Sequence, residues 1–300
     1  MYTKAPMRIS FGGGNTDVEP YRSGCGGMTL GMAIQKYAYA KHAPVVENSE
    51  KALIRAIQDK MMFDPVLNGQ GMSVMSEAKP FSGLGASGAI AVSVIALISK
   101  GRMSKKDMAK LAFEVERIDL DVKGGMQDQI FAAFGGFNYL EFGDGRFDIL
   151  PMPNNGFASK LEEKTLIVYV GEREDNIMIH EDEARRTEQN EDILDNIKDL
   201  GNDMRMLAKR GKFEDFAVLL NESWIQKKSL SPLVSTAKIE ELSDELMKNG
   251  ALGTKVTGAG GGGHLMILCD SVHKVWERCI QMGYNPERVK IDWNGVEIID

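Results

Sequence analysis

Glycine is concentrated in four short segments of the chain, and these segments could bring backbone N–H groups close to an anion. They contain Gly12-Gly13-Gly14, Gly24 with Gly26-Gly27, the run from Gly83 to Gly88, and the run from Gly258 to Gly263. Clustered glycine costs backbone entropy, but it permits positive φ and close approach of N–H groups to a ligand, commonly a phosphate. Any one cluster could be a tight turn, whereas the four together favour an anionic ligand.

The type of phosphate loop follows from its flanking residues. No GxxxxGK[ST] string occurs, which excludes a Walker-type loop. G-x-G-x-x-G strings occur at 83–88 and 258–263, but a strand follows the second, and Pro80 interrupts the entry to the first. The next acid, Asp107, lies in the first turn of a helix, so a dinucleotide-binding unit is disfavoured. The alternative is a loop that wraps a triphosphate at a helix N-terminus, with the Ser87 hydroxyl where Mg²⁺ would sit.

Strands and helices alternate around these loops in the first half of the chain. Strands are predicted near 7–11, 33–42 and 52–57, and a buried helix over 89–98 follows the glycine loop. A further helix begins at a capping box formed by Ser104 and Asp107. Its apolar residues recur at helical spacing: Met108, Leu111, Ala112, Val115 and Ile118.

The pattern restarts after the polar stretch 151–156, which predicts a domain boundary there. A strand over 165–170 precedes a long acidic helix with an apolar stripe between 193 and 207. Two more helices, near 213–228 and 236–249, lead to short strands at 255–257 and 264–269 that flank the last glycine run.

The overall composition is that of a globular chain of one or two domains. Of its 300 residues, 43% are hydrophobic and 26% are charged, which excludes wholesale disorder and a small disulfide scaffold. The 36 basic and 43 acidic residues give a net charge of -7. This charge argues against a protein whose main role is to bind nucleic acid or an anionic membrane. Three cysteines without a CxxC pair, and no long apolar stretch, predict a cytoplasmic protein with reduced thiols.

Three segments resemble the motifs of the GHMP kinases, the group of galactokinase, homoserine kinase, mevalonate kinase and phosphomevalonate kinase. They are RISFGGGNTD at 8–17, PFSGLGASGA at 80–89 and KVTGAGGGG at 255–263. Other stretches are similar to the D-glycero-D-manno-heptose-7-phosphate kinases: APMRISF at 5–11, GGMQDQ at 124–129, AAFGGFN at 132–138, and ESW at 222–224 followed by Lys227 and Lys228. Other sugar 1-kinases, of the galactose or fucose type, would look much the same.

The resemblance implies an α+β, two-domain GHMP kinase fold. An N-terminal domain similar to ribosomal protein S5 domain 2 would span 1–155, and a ferredoxin-like C-terminal domain would span 156–300. The active site would lie in the cleft between them. The implied activity is ATP- and Mg²⁺-dependent phosphorylation of the anomeric hydroxyl of a sugar phosphate, with D-glycero-D-manno-heptose 7-phosphate as the first choice and no nucleic-acid or membrane partner.

The resemblance also implies roles for individual residues. The backbone of the second motif would cradle the triphosphate, and its members are Ser82, Gly83, Leu84, Gly85, Ala86, Ser87 and Gly88. Ser87 and Glu116 would hold Mg²⁺ directly or through water. Glu116 is chosen over Glu114 by resemblance alone, because helical periodicity does not separate the two, and a solvated helix face is the alternative.

Asp128 would act as general base toward the acceptor hydroxyl, and Arg8 would stabilise the transferring phosphoryl group and keep Asp128 ionised. A turn or capping role is the alternative for Asp128. Its neighbours Gln127 and Gln129 precede an apolar run, where buried polar groups need partners, and this favours the catalytic role.

The acceptor would be bound by residues of the first and third motifs: Gly13, Gly14, Asn15, Thr16, Asp17, Gly258, Gly260, Gly261 and Gly262. An Asx-type turn is the alternative for Asp17. The phosphate of the acceptor needs a cation, and the sequence does not choose among Lys4, Arg22, Lys36, Lys227 and Lys228. His264 is expected to be packed or solvated rather than catalytic.

Two positions depart from the family pattern: Ala86 stands where serine is usual, and Gly88 where serine or alanine is usual. The backbone N–H groups must therefore carry more of the phosphate binding. Two other functions remain open: a non-catalytic nucleotide or sugar sensor, which would bind ATP without turnover, and a dinucleotide-dependent oxidoreductase at 83–88, which would bind NADH.

Overall fold

The computed structural model describes residues 1–43, 51–63, 71–143, 145–153, 155–172 and 176–300. The strands are β1 (Tyr2–Gly12), β2 (Gly27–Ala43), β3 (Gly71–Ser76), β4 (Phe137–Gly143), β5 (Arg146–Pro151), β6 (Thr165–Gly171), β7 (Ala251–Val256), β8 (Gly263–Cys269), β9 (Pro286–Arg288) and β10 (Glu297–Ile299). The helices are α1 (Tyr21–Cys25), α2 (Lys51–Lys60), α3 (Ala86–Ser99), α4 (Lys105–Glu114), α5 (Gln127–Phe134), α6 (Phe157–Lys164), α7 (Asn176–Arg185), α8 (Glu191–Lys209), α9 (Phe213–Leu230), α10 (Ala237–Lys248) and α11 (Val272–Gln281).

The first sheet has the strand order β10-β1-β2-β4-β5, and β3 pairs with the second half of β2. Every strand pair in the described residues is antiparallel. A doubly wound dinucleotide-binding unit needs parallel strands, so this topology excludes the oxidoreductase alternative. The last strand of the chain, β10, lies beside β1 in this sheet.

Helix α3 is the centre of the N-terminal half. Its sequence is apolar all round, and residues 88–97 are buried, as expected for a helix that lies between a sheet and other helices. Gly85, at φ 76°, turns the chain into its first residue. The predicted phosphate loop therefore ends at the N-terminus of a rigid, buried helix.

The second sheet has the order β7-β8-β6-β9, and its apolar face packs on α10 and α11. Helices α8 and α9 join the two halves, because α8 contacts β1 and β2 while α9 contacts β1 and β7. Phe11 of β1 packs edge-on against Phe216 of α9 at a centroid distance of 5.3 Å, and Phe157 packs on the same ring at 5.0 Å. Strand β1, helix α6 and helix α9 thus share a continuous aromatic contact.

Most of the predicted elements are confirmed, including the capping box, in which the Ser104 hydroxyl accepts from the Asp107 N–H at 3.1 Å. The two-domain α+β fold class is confirmed as well. The strand predicted at 52–57 is wrong, because these residues lie in α2. Leu53, Ile54 and Ile57 are buried there, a spacing that forms one helical face rather than the alternating face of a strand. The boundary at 155/156 remains a prediction.

No helix among the described residues is long and apolar enough to span a bilayer.

Candidate active site

A cleft of about 310 Å³ opens between the two sheets and gathers residues from all three sequence motifs. Its lining includes twelve of the predicted site residues: Arg8, Gly14, Asn15, Asp17, Ser82, Gly83, Gly85, Ala86, Ser87, Glu116, Asp128 and Gly258. These residues are up to 250 positions apart in the sequence. Strand pairing and the packing of α3 and α9 bring them to one place.

Seven predicted residues lie outside this lining: Gly13, Thr16, Leu84, Gly88, Gly260, Gly261 and Gly262. The Thr16 hydroxyl is used within the protein, since it donates to the carbonyls of Gly13 and Met28 at 2.8 and 2.9 Å. The backbone of Gly260, at φ 108°, packs against Val234 with no room for a Cβ. These residues shape the loops behind the cleft surface.

The loop before α3 presents donors rather than acceptors to the cleft. The Gly83 carbonyl accepts from Arg8 Nη1 at 2.6 Å, and the Leu84 carbonyl accepts from the Arg8 backbone N–H at 2.9 Å. The Gly85 carbonyl accepts from the N–H of Ala89 in α3. Within the described chain, the N–H groups of Gly83, Leu84 and Gly85 donate to no protein acceptor, so this loop has the geometry of an anion-binding site at a helix N-terminus.

Arg8 joins the loop to the predicted base. Its Nε and Nη2 atoms lie 2.7 and 2.6 Å from Asp128 Oδ1, while its Nη1 holds the loop carbonyl at Gly83. The Arg8 side chain is 5% exposed and that of Asp128 is 19% exposed. The planar guanidinium can make these contacts at once because its donors are fixed in a fork. One side chain therefore sets the distance between the carboxylate and the phosphate loop.

A carboxylate and a hydroxyl meet at the other side of the loop. Glu116 Oε1 accepts a short hydrogen bond from the Ser87 hydroxyl, and Glu116 Oε2 accepts from Gln129 Nε2 at 2.5 Å. A π-helical turn over Val115–Asp119 buries Glu116 at the cleft, as such turns often do at functional sites. Glu114, before the turn, is half-buried and faces Lys60 at 3.9 Å.

This arrangement separates the two glutamates that helical periodicity could not distinguish. Glu116 and Ser87 together offer hard oxygen donors, the ligands that Mg²⁺ prefers alongside several waters. No group of three or more His, Cys, Asp or Glu side chains suited to a metal occurs in the described residues. A metal at this place would depend on water or a phosphate for its other ligands.

Asp17 lies across the cleft from the loop, against the start of α5. Its carboxylate accepts from the side-chain amide of Gln127 at 3.3 Å and from the Gln127 backbone N–H at 3.4 Å. Burial raises the pKa of Asp17, and the nearby carboxylate of Asp128 raises it further. Asp17 is therefore a buried acid, 1% exposed, at the cleft.

Two lysines of the C-terminal half also reach the cleft. Lys227 of α9 donates to Asn15 Oδ1 at 3.1 Å and to the Gly258 carbonyl at 2.5 Å, so it bridges the first and third motifs. Lys255 donates to the carbonyl of Phe11 at 2.6 Å. Burial lowers the pKa of Lys255 well below its usual value, and the positive charges of Lys227 and Arg8 contribute.

The other four predicted cations pair with carboxylates outside the cleft lining: Lys4 with Glu297, Arg22 with Glu19, Lys36 with Glu287, and Lys228 with Glu240. Sequence reasoning quoted Lys255 within the third motif but assigned it no role. The available signal is a lysine at the start of the predicted strand 255–257, directly before the last glycine run.

The charge of the cleft is opposite to that of the whole chain. Among the described residues, its lining has five basic side chains, Arg8, Arg117, Lys123, Lys227 and Lys255, and three acidic ones, Asp17, Glu116 and Asp128. A cleft with low-dielectric walls focuses such a local field. A chain of net charge -7 can therefore bind anionic ligands here.

The glycine at position 88 has a structural reason. A Cβ at Gly88 would lie 2.9 Å from the Asp128 Cβ, closer than real Cβ contacts, and one at Gly85 would lie 3.1 Å from the Asp128 Cγ. The start of α3 therefore packs directly on Asp128 at the start of α5. This departure from the family pattern lets the carboxylate lie against the loop.

Comparison with known proteins agrees with this geometry. The family model described as GHMP kinases N terminal domain matches residues 48–136, and the one described as GHMP kinases C terminal matches residues 204–285. The chain is 28% identical over 308 aligned positions to the D-glycero-alpha-D-manno-heptose 7-phosphate kinase of Campylobacter jejuni, covering 91% of this chain and 90% of that protein. It is 30% identical over 275 positions to the mevalonate kinase of Pyrococcus furiosus, covering 87% and 77%.

A solved structure shares the whole fold. The crystal structure of a D-glycero-D-manno-heptose 1-phosphate kinase from Bacteroides thetaiotaomicron has a TM-score of 0.78, at 23% identity, over 100% of this chain and 99% of that chain. The two family models together match more than half of the chain, and they flank the cleft on both sides. The chain therefore belongs to the GHMP kinases, a family of phosphotransferases that act on alcohol groups.

Proposed function

We propose that this protein transfers the γ-phosphoryl group of ATP to the anomeric hydroxyl of a sugar phosphate, with D-glycero-D-manno-heptose 7-phosphate as the preferred acceptor. The observation that carries the proposal is the Arg8 guanidinium, which binds both Asp128 and the loop carbonyl of Gly83. In-line transfer requires a base and the phosphates at a fixed separation, and one side chain here holds the predicted base and the phosphate loop together. The similarity to the heptose 7-phosphate kinase of Campylobacter jejuni over 91% of the chain supports the choice of acceptor.

In this mechanism the loop N–H groups bind the phosphates and Asp128 accepts the proton of the acceptor hydroxyl. As the hydroxyl oxygen bonds to the γ-phosphorus, the bond from that phosphorus to the bridging oxygen breaks, and ADP leaves with the electron pair. The proton remains on the Asp128 carboxylate until solvent removes it. Arg8 stays charged throughout and stabilises negative charge on the transferring group.

Ser87 and Glu116 would hold Mg²⁺, because their hydroxyl and carboxylate oxygens are already adjacent and Gln129 fixes the carboxylate from behind. When bound, the ion would neutralise charge on the phosphates. The nucleotide would be oriented by these residues and by α3. The Ser87 hydroxyl and the Glu116 carboxylate would mark the end of the triphosphate site, and the positive end of the α3 dipole would favour the negative charge of the phosphates.

The acceptor would lie between Asp17 and the Gly258 loop. The buried carboxylate of Asp17 and the side chain of Asn15 can bind sugar hydroxyls. Lys227 is the predicted cation that lines this cleft, and with Lys255 it would meet the phosphate of the acceptor. The amino group of Lys227 donates to Asn15 and Gly258, and that of Lys255 donates to Phe11. An anion bound between them would accept hydrogen bonds from both groups and favour their charged forms.

The location in the cell follows the same proposal. ATP and sugar phosphates are intracellular substrates, and Cys25, Cys269 and Cys279 are free thiols. We therefore place the protein in the cytoplasm.

The test is incubation with ATP, Mg²⁺ and a panel of heptose and hexose phosphates, followed by phosphorus NMR. A new anomeric phosphate signal with equimolar ADP is expected for the heptose 7-phosphate, and unphosphorylated sugars should react far more slowly. The matched control is Asp128→Asn, which should bind ATP normally and lose at least about 100-fold in kcat. ATP binding without a new phosphate on any acceptor would refute the proposal and select the sensor alternative.

A further inference from the structure

One carbonyl of the phosphate loop is held from the other half of the molecule. Arg8 and Ala89 bind the carbonyls at 83–85, but the Ser82 carbonyl lies 2.9 Å from Nδ1 of His264. A carbonyl can only accept, so Nδ1 carries the proton. His264 belongs to β8 of the second sheet, directly after the glycine run, and its side chain is buried.

The surroundings of His264 fix its ring. The ring packs on Tyr169 of β6 at a centroid distance of 5.3 Å, and the His264 carbonyl accepts from the Thr257 N–H at 2.9 Å. The backbone of Gly263 lies against the Ser82 carbonyl as well, since a Cβ there would come within 2.5 Å of that oxygen. The start of β8 therefore clamps the start of the loop.

The loop needs this clamp because its backbone could point either way. Phe81 and Gly83, on either side of Ser82, both have positive φ, at 57° and 80°. A rotation of the peptide plane between Ser82 and Gly83 would exchange a carbonyl for an N–H on the cleft side. A carbonyl facing the phosphates would repel them, whereas an N–H binds them. A donor fixed on the Ser82 carbonyl selects the orientation that binds an anion.

We infer that His264 is a positioning residue for the nucleotide: through its Nδ1–H it holds the Ser82 carbonyl away from the cleft, so that the loop N–H groups face the phosphates of ATP. This inference rests on the proposed role of the loop in ATP binding. It assigns a function to a buried histidine that touches neither substrate, and it makes the C-terminal half of the chain a part of the nucleotide site.

The test compares His264→Phe, which keeps an aromatic ring and loses the donor, with His264→Asn, whose amide nitrogen can occupy the place of Nδ1. For H264F, we expect the KM and the calorimetric Kd of ATP to rise about 3- to 10-fold, the effect of one neutral hydrogen bond. Its kcat and the KM of the acceptor should stay within about 2-fold, because Asp128 and Asp17 are untouched. H264N should restore the wild-type KM for ATP.

A further control is Tyr169→Leu, which removes the ring that packs on His264 and leaves the hydrogen bond in place. An unchanged KM for ATP in this variant supports the inference, whereas a rise equal to that of H264F would show that packing alone matters. A wild-type KM for ATP in H264F, or no rescue by H264N, would overturn the inference.

If H264F does not fold, as judged by its melting temperature, His264→Leu takes its place, because leucine also lacks a donor; a wild-type KM for ATP in that variant also contradicts the inference. A wild-type protein that binds no ATP would refute the proposed function itself, while ATP binding that is insensitive to H264F would refute only the role of His264.

Discussion

Replacing Arg8 by lysine should lower kcat/KM although the positive charge is kept. The guanidinium makes three contacts below 2.8 Å, two to Asp128 Oδ1 and one to the Gly83 carbonyl. A lysine ammonium at the same place can reach one of these two partners at a time, because it is a single point of donation on a flexible stem. The variant must therefore give up either the base or the phosphate loop.

The size of the effect follows from what is lost. The two contacts to Asp128 share one acceptor oxygen, so they count as one interaction, and the contact to Gly83 is the other. A hydrogen bond to a charged group contributes about 1.5–3 kcal/mol. Losing one of the two should lower kcat/KM about 10- to 150-fold. A fall in kcat would indicate the loss of Asp128, and a rise in the KM of ATP the loss of the loop.

A double-mutant cycle with Asp128→Asn, measured by single-turnover transfer from labelled ATP, tests the reasoning. If Arg8 acts partly through the carboxylate of Asp128, Arg8→Lys should cost about 10-fold less in the D128N background. If the losses of the two single variants multiply to the loss of the double variant within about 2-fold, the coupling between Arg8 and Asp128 is refuted. The control is Arg278→Lys, since Arg278 makes the same type of contact to Glu245 at 2.7 Å between α11 and α10, outside the cleft lining, and should keep full activity.

Three further predictions concern the same site. Gly88→Ala should lower kcat about 10-fold or more and destabilise the protein by about 1–3 kcal/mol, because its Cβ would press on Asp128. In Gly24→Ala the new Cβ would meet no atom within 4 Å, so neither kcat nor stability should change. Equal behaviour of the two variants would contradict this prediction. Gln129→Leu removes the amide behind the buried glutamate carboxylate and should raise the Mg²⁺ concentration for half-maximal rate about 10-fold or more, whereas an unchanged metal dependence would exclude a positioning role. The pKa of Asp17 is raised in the folded state, so the folded protein binds more protons than the unfolded chain at pH values between the ordinary and the raised pKa. Its free energy of unfolding should therefore fall as pH rises through that interval. Asp17→Asn should remove this slope in calorimetric melts, and an identical slope in both proteins would show that another group causes it.

Much of the site could be predicted from the sequence because its chemistry is local. A glycine loop followed by an apolar helix predicts an anion site at the helix N-terminus, and the structure has α3 begin at Ala86 directly after that loop. The capping box at Ser104 is equally local, since its partners are three residues apart. The strand predicted at 52–57 is a helix in the structure, because a short apolar run fits a strand and a helix alike until its packing partners are known.

The rest depended on contacts between residues far apart in the chain. Helical spacing left Glu114 and Glu116 equivalent, and only the π-turn of 115–119 buries one of them beside Ser87. Composition made Lys227 one of five possible cations, and only the packing of α9 under the cleft brings its ammonium to Asn15.

The family and the reaction type could be predicted from the amino-acid sequence, because residue types and short spacings encode local chemistry; the roles of the individual site residues stay predictions. The tertiary structure alone decided which charges meet. It places five basic side chains around the cleft of a chain of net charge -7, and it brings His264 against the phosphate loop from 182 residues away. Burial and antiparallel pairing act between distant segments, and no one-dimensional pattern records them.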